Sequence, residues 1–291
     1  MNTMTSAHNS SQTSSHDVPQ GYMVPTKQIR LSDLQARKGP DSTPFAMVTA
    51  YDYSTAVAFA EAGIEMILVG DSAANVVFGY TATQQVSMDE MCYLAAAVVR
   101  GAGNAFVVVD LPFGTYEASD EQAVASAAEI MRRSGGHCVK IEGGERIAPR
   151  IKALKNAGIP VCAHIGFTPQ SVNALGGFKV QGRGAGAEQL KADMRAVAEA
   201  GADFVVMEMV PAAIAQEITE ECPVPTIGIG AGPHCDGQVL VWHDMVAFPA
   251  GGHRPKFAKQ WGSVGATMTQ AAADYKREVA EGTFPAEEHC F

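Results

Sequence analysis

No two cysteines in this sequence stand as C-x-x-C, no surplus of basic residues is present, and no apolar run reaches membrane length. Each absence excludes something. The 6 cysteines fall singly at positions 92, 138, 162, 222, 235 and 290, mostly inside apolar runs, which suits reduced thiols in a reducing compartment. His234-Cys235-Asp236 has the look of a metal cluster, but adjacent side chains rarely converge on one ion and the spacing matches no zinc motif. With 21 Lys and Arg against 31 Asp and Glu, the net charge of −10 argues against a nucleic-acid footprint. Nothing approaches the ~20 apolar residues of a membrane span. Residues 1–26 hold no Lys or Arg and no hydrophobic stretch, so a disordered tail is expected there rather than a signal or transit peptide, and a cytoplasmic location follows. Aromatics are scarce at 7%, whereas glycine reaches 29 residues, a composition suited to helices lying close on a buried parallel sheet.

From Phe45 onward, short apolar runs alternate with longer helical patterns. Strands are predicted at 45–49, 66–69, 106–109, 138–141, 161–165, 204–207 and 226–229, with a weaker eighth near Met245-Val246-Ala247-Phe248. Helices are predicted between them, at 54–62, 88–100, 121–133, 146–156, 188–200 and 211–220, and one at 29–38 is placed to plug a barrel floor. Several helices run into Ala-Gly or Gly-Gly, such as Ala62-Gly63 and Gly135-Gly136, where glycine supplies a left-handed cap before the next strand. Seven or eight such units in about 250 residues fit a (β/α)8 TIM barrel as one catalytic domain over residues 27–291. A doubly wound open sheet would carry a G-x-G-x-x-G turn after an early strand, and none is present.

The strand ends carry the chemistry. Strand two runs into Gly70-Asp71-Ser72, strand three into Asp110, strand four holds Lys140 and Glu142, strand five His164, and strand six ends in Glu208. A single acidic residue there could cap a helix or face solvent. Several at consecutive strand ends, converging on the C-terminal face of a barrel, call for a cation between them. Hard oxygen donors suit Mg2+, assigned to Asp71, Asp110 and Glu142 directly or through water. A small 2-oxo acid could chelate such an ion, which would acidify the carbon beside the carbonyl. Glu208 is then placed to take the proton. Lys140 would balance the carboxylate or the enolate charge. His164 reads equally as a substrate contact and as a satisfied core histidine.

The glycine-rich run at 227–232 is expected to serve close packing at the barrel mouth rather than phosphate binding. Gly176–Gly186, with Lys179 and Arg183, reads equally as a lid over the site and as a surface loop.

Several segments resemble the ketopantoate hydroxymethyltransferase family: Thr49-Ala50-Tyr51-Asp52-Tyr53-Ser54, Val69-Gly70-Asp71-Ser72, Asp110-Leu111-Pro112-Phe113 and Val139-Lys140-Ile141-Glu142-Gly143-Gly144. His164-Ile165-Gly166-Phe167-Thr168-Pro169-Gln170-Ser171 and Pro255-Lys256-Phe257-Ala258-Lys259 extend the likeness, which runs from about Thr26 to the C-terminus. The resemblance implies a phosphoenolpyruvate/pyruvate-like barrel and transfer of a one-carbon unit from 5,10-methylenetetrahydrofolate to 2-oxoisovalerate, giving ketopantoate through a Mg2+-stabilised enolate on the way to pantothenate. It further implies that Asp71, Asp110 and Glu142 surround the metal, that Ser72 and Lys140 hold the 2-oxo acid, that Glu208 accepts the proton, and that the protein is a homodecamer. The loop after Ser72 departs from the family pattern. Ala73-Ala74-Asn75 replaces Leu-Gly-Met, Tyr80 replaces a His, and Gln84-Gln85-Val86-Ser87 replaces Leu-Pro-Val-Thr. Two alternatives are a Mg2+-dependent lyase or mutase of the phosphoenolpyruvate/isocitrate lyase kind and a non-catalytic paralogue. The first lacks its usual Lys-Lys-Cys-Gly-His loop here.

Overall fold

The computed structural model describes residues 28–249, 251 and 254–291; the tail expected over residues 1–26 lies outside them. Short, mostly apolar runs buried on both faces form eight parallel strands: β1 (Phe45–Thr49), β2 (Met66–Val69), β3 (Phe106–Asp110), β4 (Cys138–Glu142), β5 (Val161–Gly166), β6 (Phe204–Glu208), β7 (Thr226–Ile229) and β8 (Gly237–Leu240). They pair in sequence order and close into a barrel, β8 against β1. Outward residues such as Ile67, Val107, Val139 and Val205 pack under the surrounding helices, while inward ones such as Met66, Cys138 and Phe204 fill the barrel.

The helices in chain order are α1 (Leu31–Gln35), α2 (Tyr53–Glu61), α3 (Ala73–Val76), α4 (Met88–Gly101), α5 (Asp120–Ser134), α6 (Ala148–Asn156), α7 (Val172–Leu175), α8 (Gly186–Glu199), α9 (Ala212–Glu221), α10 (Trp242–Met245) and α11 (Val264–Glu281). Side chains cap the principal starts: Asp52 accepts from Thr55 N at α2, and Ser87 and Glu90 form a capping box at α4. Gly135 ends α5 in the left-handed conformation (φ 79°) that the Gly-Gly signal implied. Among the described residues no helix is long and apolar enough to cross a membrane.

The barrel floor is apolar. Phe45, Phe106 and Phe204 meet there, with ring centroids 6.4 Å apart for Phe45–Phe204 and 6.2 Å for Phe106–Phe204. Leu34 of α1 buries against the same cluster, so the first helix does seal this end. It is shorter than the expected 29–38, because Lys38 leaves the helix to reach Thr219 O (2.5 Å) and Asp236 Oδ2 (3.0 Å). Asp236 also accepts from Gly39 N and Thr226 N, which makes it a structural tie rather than part of a metal cluster with the exposed His234.

The eighth strand corrects the sequence reading. It is Gly237-Gln238-Val239-Leu240, not 245–248. It follows β7 with no helix between, so the βα repeat that marked the other strands is broken. Gln238 faces outward and exposed, and at Gly237 a Cβ would lie 2.6 Å from the Phe45 ring. Met245 closes α10 instead, and Phe248 stacks on Trp242 at 5.6 Å.

Candidate active site

At the end opposite the phenylalanine floor, the inward positions change from apolar to ionisable. Alternation carries β1 from Phe45 and Met47 to Thr49, β3 from Phe106 and Val108 to Asp110, and β4 from Cys138 to Lys140 and Glu142. β5 contributes His164 and β6 Glu208, while Asp71 and Ser72 follow β2. All seven predicted site residues line one cavity of about 1050 Å³. Phe178, Val180, Asp244, Lys256 and Phe257 form other parts of its wall.

Asp71, Asp110, Glu142 and Lys140 are each at most 4% exposed. Lys140 Nζ lies 3.0 Å from Asp110 Oδ1, 3.6 Å from Glu142 Oε1 and 3.3 Å from His164 Nδ1. Burial works against that ammonium, but Asp110, Glu142 and Asp71 outweigh it and hold Lys140 well above the usual lysine range. Counting Glu208 and His164, four carboxylates face one ammonium and one imidazole. The surplus falls on Asp71, whose acid is pushed up to about 8 by burial and by the neighbouring Asp110 and Glu142. Asp110 is raised by burial too, with Lys140 opposing; Glu142 is held low against burial by His164 and Lys140.

His164 joins the two acidic sides. Its Nδ1 is 3.3 Å from Glu142 Oε1 and its Nε2 3.5 Å from Glu208 Oε2. Burial and Lys140 disfavour its charge, yet the two carboxylates prevail and push the imidazole up to about 9. His164 is therefore a polar bridge inside the site, not an isolated core histidine.

The donor set suits a hard divalent cation. Carboxylates outnumber cations in the cluster, and Asp110 Oδ1 and Glu142 Oε1 are buried without an aligned hydrogen bond. Among the described residues no three His, Cys, Asp or Glu side chains converge tightly enough to enclose an ion by themselves. Water would therefore complete the shell, as Mg2+ prefers.

Other groups came into view only with the fold. Tyr51 OH and Ser72 Oγ are 2.8 Å apart at the cavity wall. Gln170, after β5, and Tyr116, after β3, are buried beside the carboxylates. Neither stands at a strand end or in a periodic pattern, so only the segment match around Gln170 hinted at it. In the 176–186 loop Phe178 and Val180 reach the cavity, whereas Lys179 and Arg183 do not line it. Phe178 packs on Phe167 with centroids 4.8 Å apart while remaining 76% exposed. The glycine run after β7 serves close packing: a Cβ on Gly230 would sit 2.8 Å from the Phe257 ring, and one on Gly232 2.5 Å from Ala212. In the divergent loop, Asn75 lines the cavity, Tyr80 donates to Glu90 (2.7 Å), and Gln84 donates to Gln170 O (2.6 Å).

The family model described as ketopantoate hydroxymethyltransferase matches residues 28–287. The chain belongs to this family. It is 76% identical over 277 residues to the 3-methyl-2-oxobutanoate hydroxymethyltransferase of Corynebacterium jeikeium, spanning 95% of this chain and 98% of that one. To the enzyme of the same name from Corynebacterium diphtheriae it is 60% identical, over 91% of this chain and all of the other (100%). To that of Rhodococcus jostii it is 58% identical, over 95% of this chain and 93% of the relative. Solved structures resemble it in fold. Phosphonopyruvate hydrolase in complex with oxalate and Mg2+ superposes with a TM-score of 0.59 at 12% identity, over 89% of this chain and 92% of the other. Phosphoenolpyruvate phosphomutase from Streptomyces platensis superposes with 0.59 at 16%, over 90% and 91%. The lyase and mutase alternative thus shares the barrel, while the hydroxymethyltransferase family shares the sequence.

Proposed function

We propose that this chain, as one catalytic unit over residues 27–291, transfers a hydroxymethyl unit from 5,10-methylenetetrahydrofolate to 2-oxoisovalerate, giving ketopantoate in the first step of pantothenate synthesis. The observation that carries the reading is the excess of buried carboxylates over cations around Lys140, within one cavity that also holds Glu208. Asp71, Asp110 and Glu142 would hold Mg2+ there, in part through water. When bound, the ion acts as a Lewis acid that makes the C3 proton of the 2-oxo acid easier to remove.

The side chains divide the remaining work. Lys140 and Ser72 hold the 2-oxo acid, with Tyr51 fixing the serine hydroxyl at 2.8 Å. Glu208 takes the C3 proton, and His164, 3.5 Å from it, steadies the carboxylate. C3 then bonds to the one-carbon unit as both of that carbon's bonds to the folate nitrogens break; water supplies the hydroxyl group, and the C3 proton and the second water proton end on the two nitrogens. Phe178, Lys256 and Phe257 at the outer cavity wall offer an apolar and cationic lip for the larger folate. The family resemblance further suggests a homodecamer, acting in the cytoplasm.

The test follows the C3 proton of 2-oxoisovalerate in D2O by NMR, with and without Mg2+ and then with methylenetetrahydrofolate. Mg2+-dependent exchange is expected, followed by ketopantoate once the folate is added. Glu208→Gln should bind the 2-oxo acid with affinity within about 3-fold of wild type and lose exchange by about 100-fold or more. Exchange at the wild-type rate in that variant would remove Glu208 as the base. No exchange and no product in the wild-type chain would overturn the assignment itself.

A further inference from the structure

Gln170 sits in the 3-10 turn Pro169–Ser171 that follows β5 and is only 3% exposed. Its hydrogen bonds reach both sides of the acidic cluster. The side-chain Nε2 donates to Asp71 Oδ2 (2.9 Å) and to Leu111 O (3.0 Å), and the backbone N donates to Glu142 Oε2 (2.9 Å). Asp71 is in turn tied to the third carboxylate, since its backbone N donates to Asp110 Oδ2 (2.9 Å). One residue therefore grips two acids that arrive on different strands, and its grip extends to the third.

The orientation of the amide is determined by its surroundings. Tyr116 OH donates to Gln170 Oε1 (2.5 Å) while accepting from Glu142 N (3.1 Å). Rotating the amide by half a turn would set its oxygen against the Leu111 carbonyl, an acceptor with no proton to share, and its NH2 against the Tyr116 hydroxyl. The bonds also select which carboxylate oxygens remain available. Gln170 occupies Asp71 Oδ2 and Glu142 Oε2, and Glu142 Oε1 is left buried without an aligned donor. Held in this way, Asp71 and Glu142 each keep a second carboxylate oxygen that Gln170 does not occupy.

The backbone of Gln170 is itself secured. Gln84, in the turn Thr83–Gln85 of the loop that departs from the family pattern, donates through Nε2 to Gln170 O at 2.6 Å. The divergent segment is thereby fastened to the residue that holds the acids, although it supplies none of them.

We propose that Gln170 is a positioning residue that sets the spacing and aim of Asp71 and Glu142 for a divalent cation, with Tyr116 fixing its amide and Gln84 anchoring its backbone. This rests on the metal reading given above. Outer partners of metal ligands commonly change metal affinity by about 10- to 100-fold when removed. The same magnitude is expected here without loss of any ligand.

Mn2+ binding to the metal-free full-length protein, followed by electron paramagnetic resonance, separates the possibilities, with thermal melts recorded alongside. Gln170→Leu should weaken Mn2+ binding by about 10- to 100-fold while circular dichroism stays native. Tyr116→Phe keeps the ring and removes only the hydroxyl, so it provides the same reading if the leucine variant folds poorly; a several-fold loss is expected. Gln84→Leu should produce a smaller loss in the same direction. Wild-type Mn2+ affinity in folded Gln170→Leu or Tyr116→Phe protein, with only the melting temperature lowered, would reduce Gln170 to a purely structural role and overturn the proposal. If the wild-type chain binds no Mn2+, or if Asp71→Asn binds it as well as wild type, the metal reading fails and the positioning role falls with it.

Discussion

Two buried histidines show how neighbours decide what burial does to a charge. His164 lies between Glu142 and Glu208 and is pushed up to about 9, whereas His243 is pushed down to about 4 by burial, with Asp52 opposing only weakly. The His243 ring sits 3.9 Å from Trp242, 5.6 Å from Tyr51 and 5.5 Å from Phe248 by centroids, and its Nδ1 has no hydrogen-bond partner. An unfolded histidine takes up its proton near pH 6.5. Between that value and about 4 the unfolded chain binds a proton that the folded chain refuses, so this residue lowers stability as pH falls through that window. In His243→Phe the slope of melting temperature against pH between about 6.5 and 4 should therefore be shallower than in the wild type. Equal slopes would mean that the ring titrates in the fold as it does in water.

At the scale of elements, the glycine at the start of β8 is a packing requirement of the floor. A methyl group on Gly237 would approach the Phe45 ring to 2.6 Å, and Phe45 is itself held by Phe204. Gly237→Ala should destabilise by about 1–3 kcal/mol in urea unfolding, the usual cost of overpacking a filled core. A change within about 0.3 kcal/mol would show that the ring moves aside freely. The same residue explains what could be read beforehand. Seven strands were legible because each is a short apolar run and a helix separates each from the next. The eighth opens on Gly237, turns Gln238 outward and follows β7 without a helix, so neither composition nor spacing marked it. The apolar run 245–248 attracted the assignment instead, although its residues serve α10 and the aromatic stack on Trp242. At the site, charged side chains closing apolar strands were conspicuous, which made Asp110, Lys140, Glu142 and Glu208 legible. Gln170 and Tyr116 were not, because a neutral amide or phenol in a loop gains its meaning only from what the fold sets beside it.

On the scale of the whole molecule, the ionisable site residues and the phenylalanine layer occupy opposite ends of one barrel. The last helix, α11, lies largely outside this arrangement; Val264, Met268, Tyr275 and Val279 are exposed along it, which accords with the proposed self-association. With Leu34, Phe45, Phe106 and Phe204 closing the lower end, the cavity opens away from the floor. Asp110 and Lys140 lie at its inner end, and Phe178 and Phe257, 76% and 36% exposed, stand at the threshold. Two reactants cannot exchange places in such a vessel. The small 2-oxo acid must arrive before the bulky carrier and its product must depart after it, so ketopantoate should inhibit competitively against 2-oxoisovalerate, and tetrahydrofolate in mixed fashion against both substrates. Competition of tetrahydrofolate with the 2-oxo acid alone would contradict the queue. The closed floor thus acts on time as well as on shape, turning a two-substrate reaction into last in, first out.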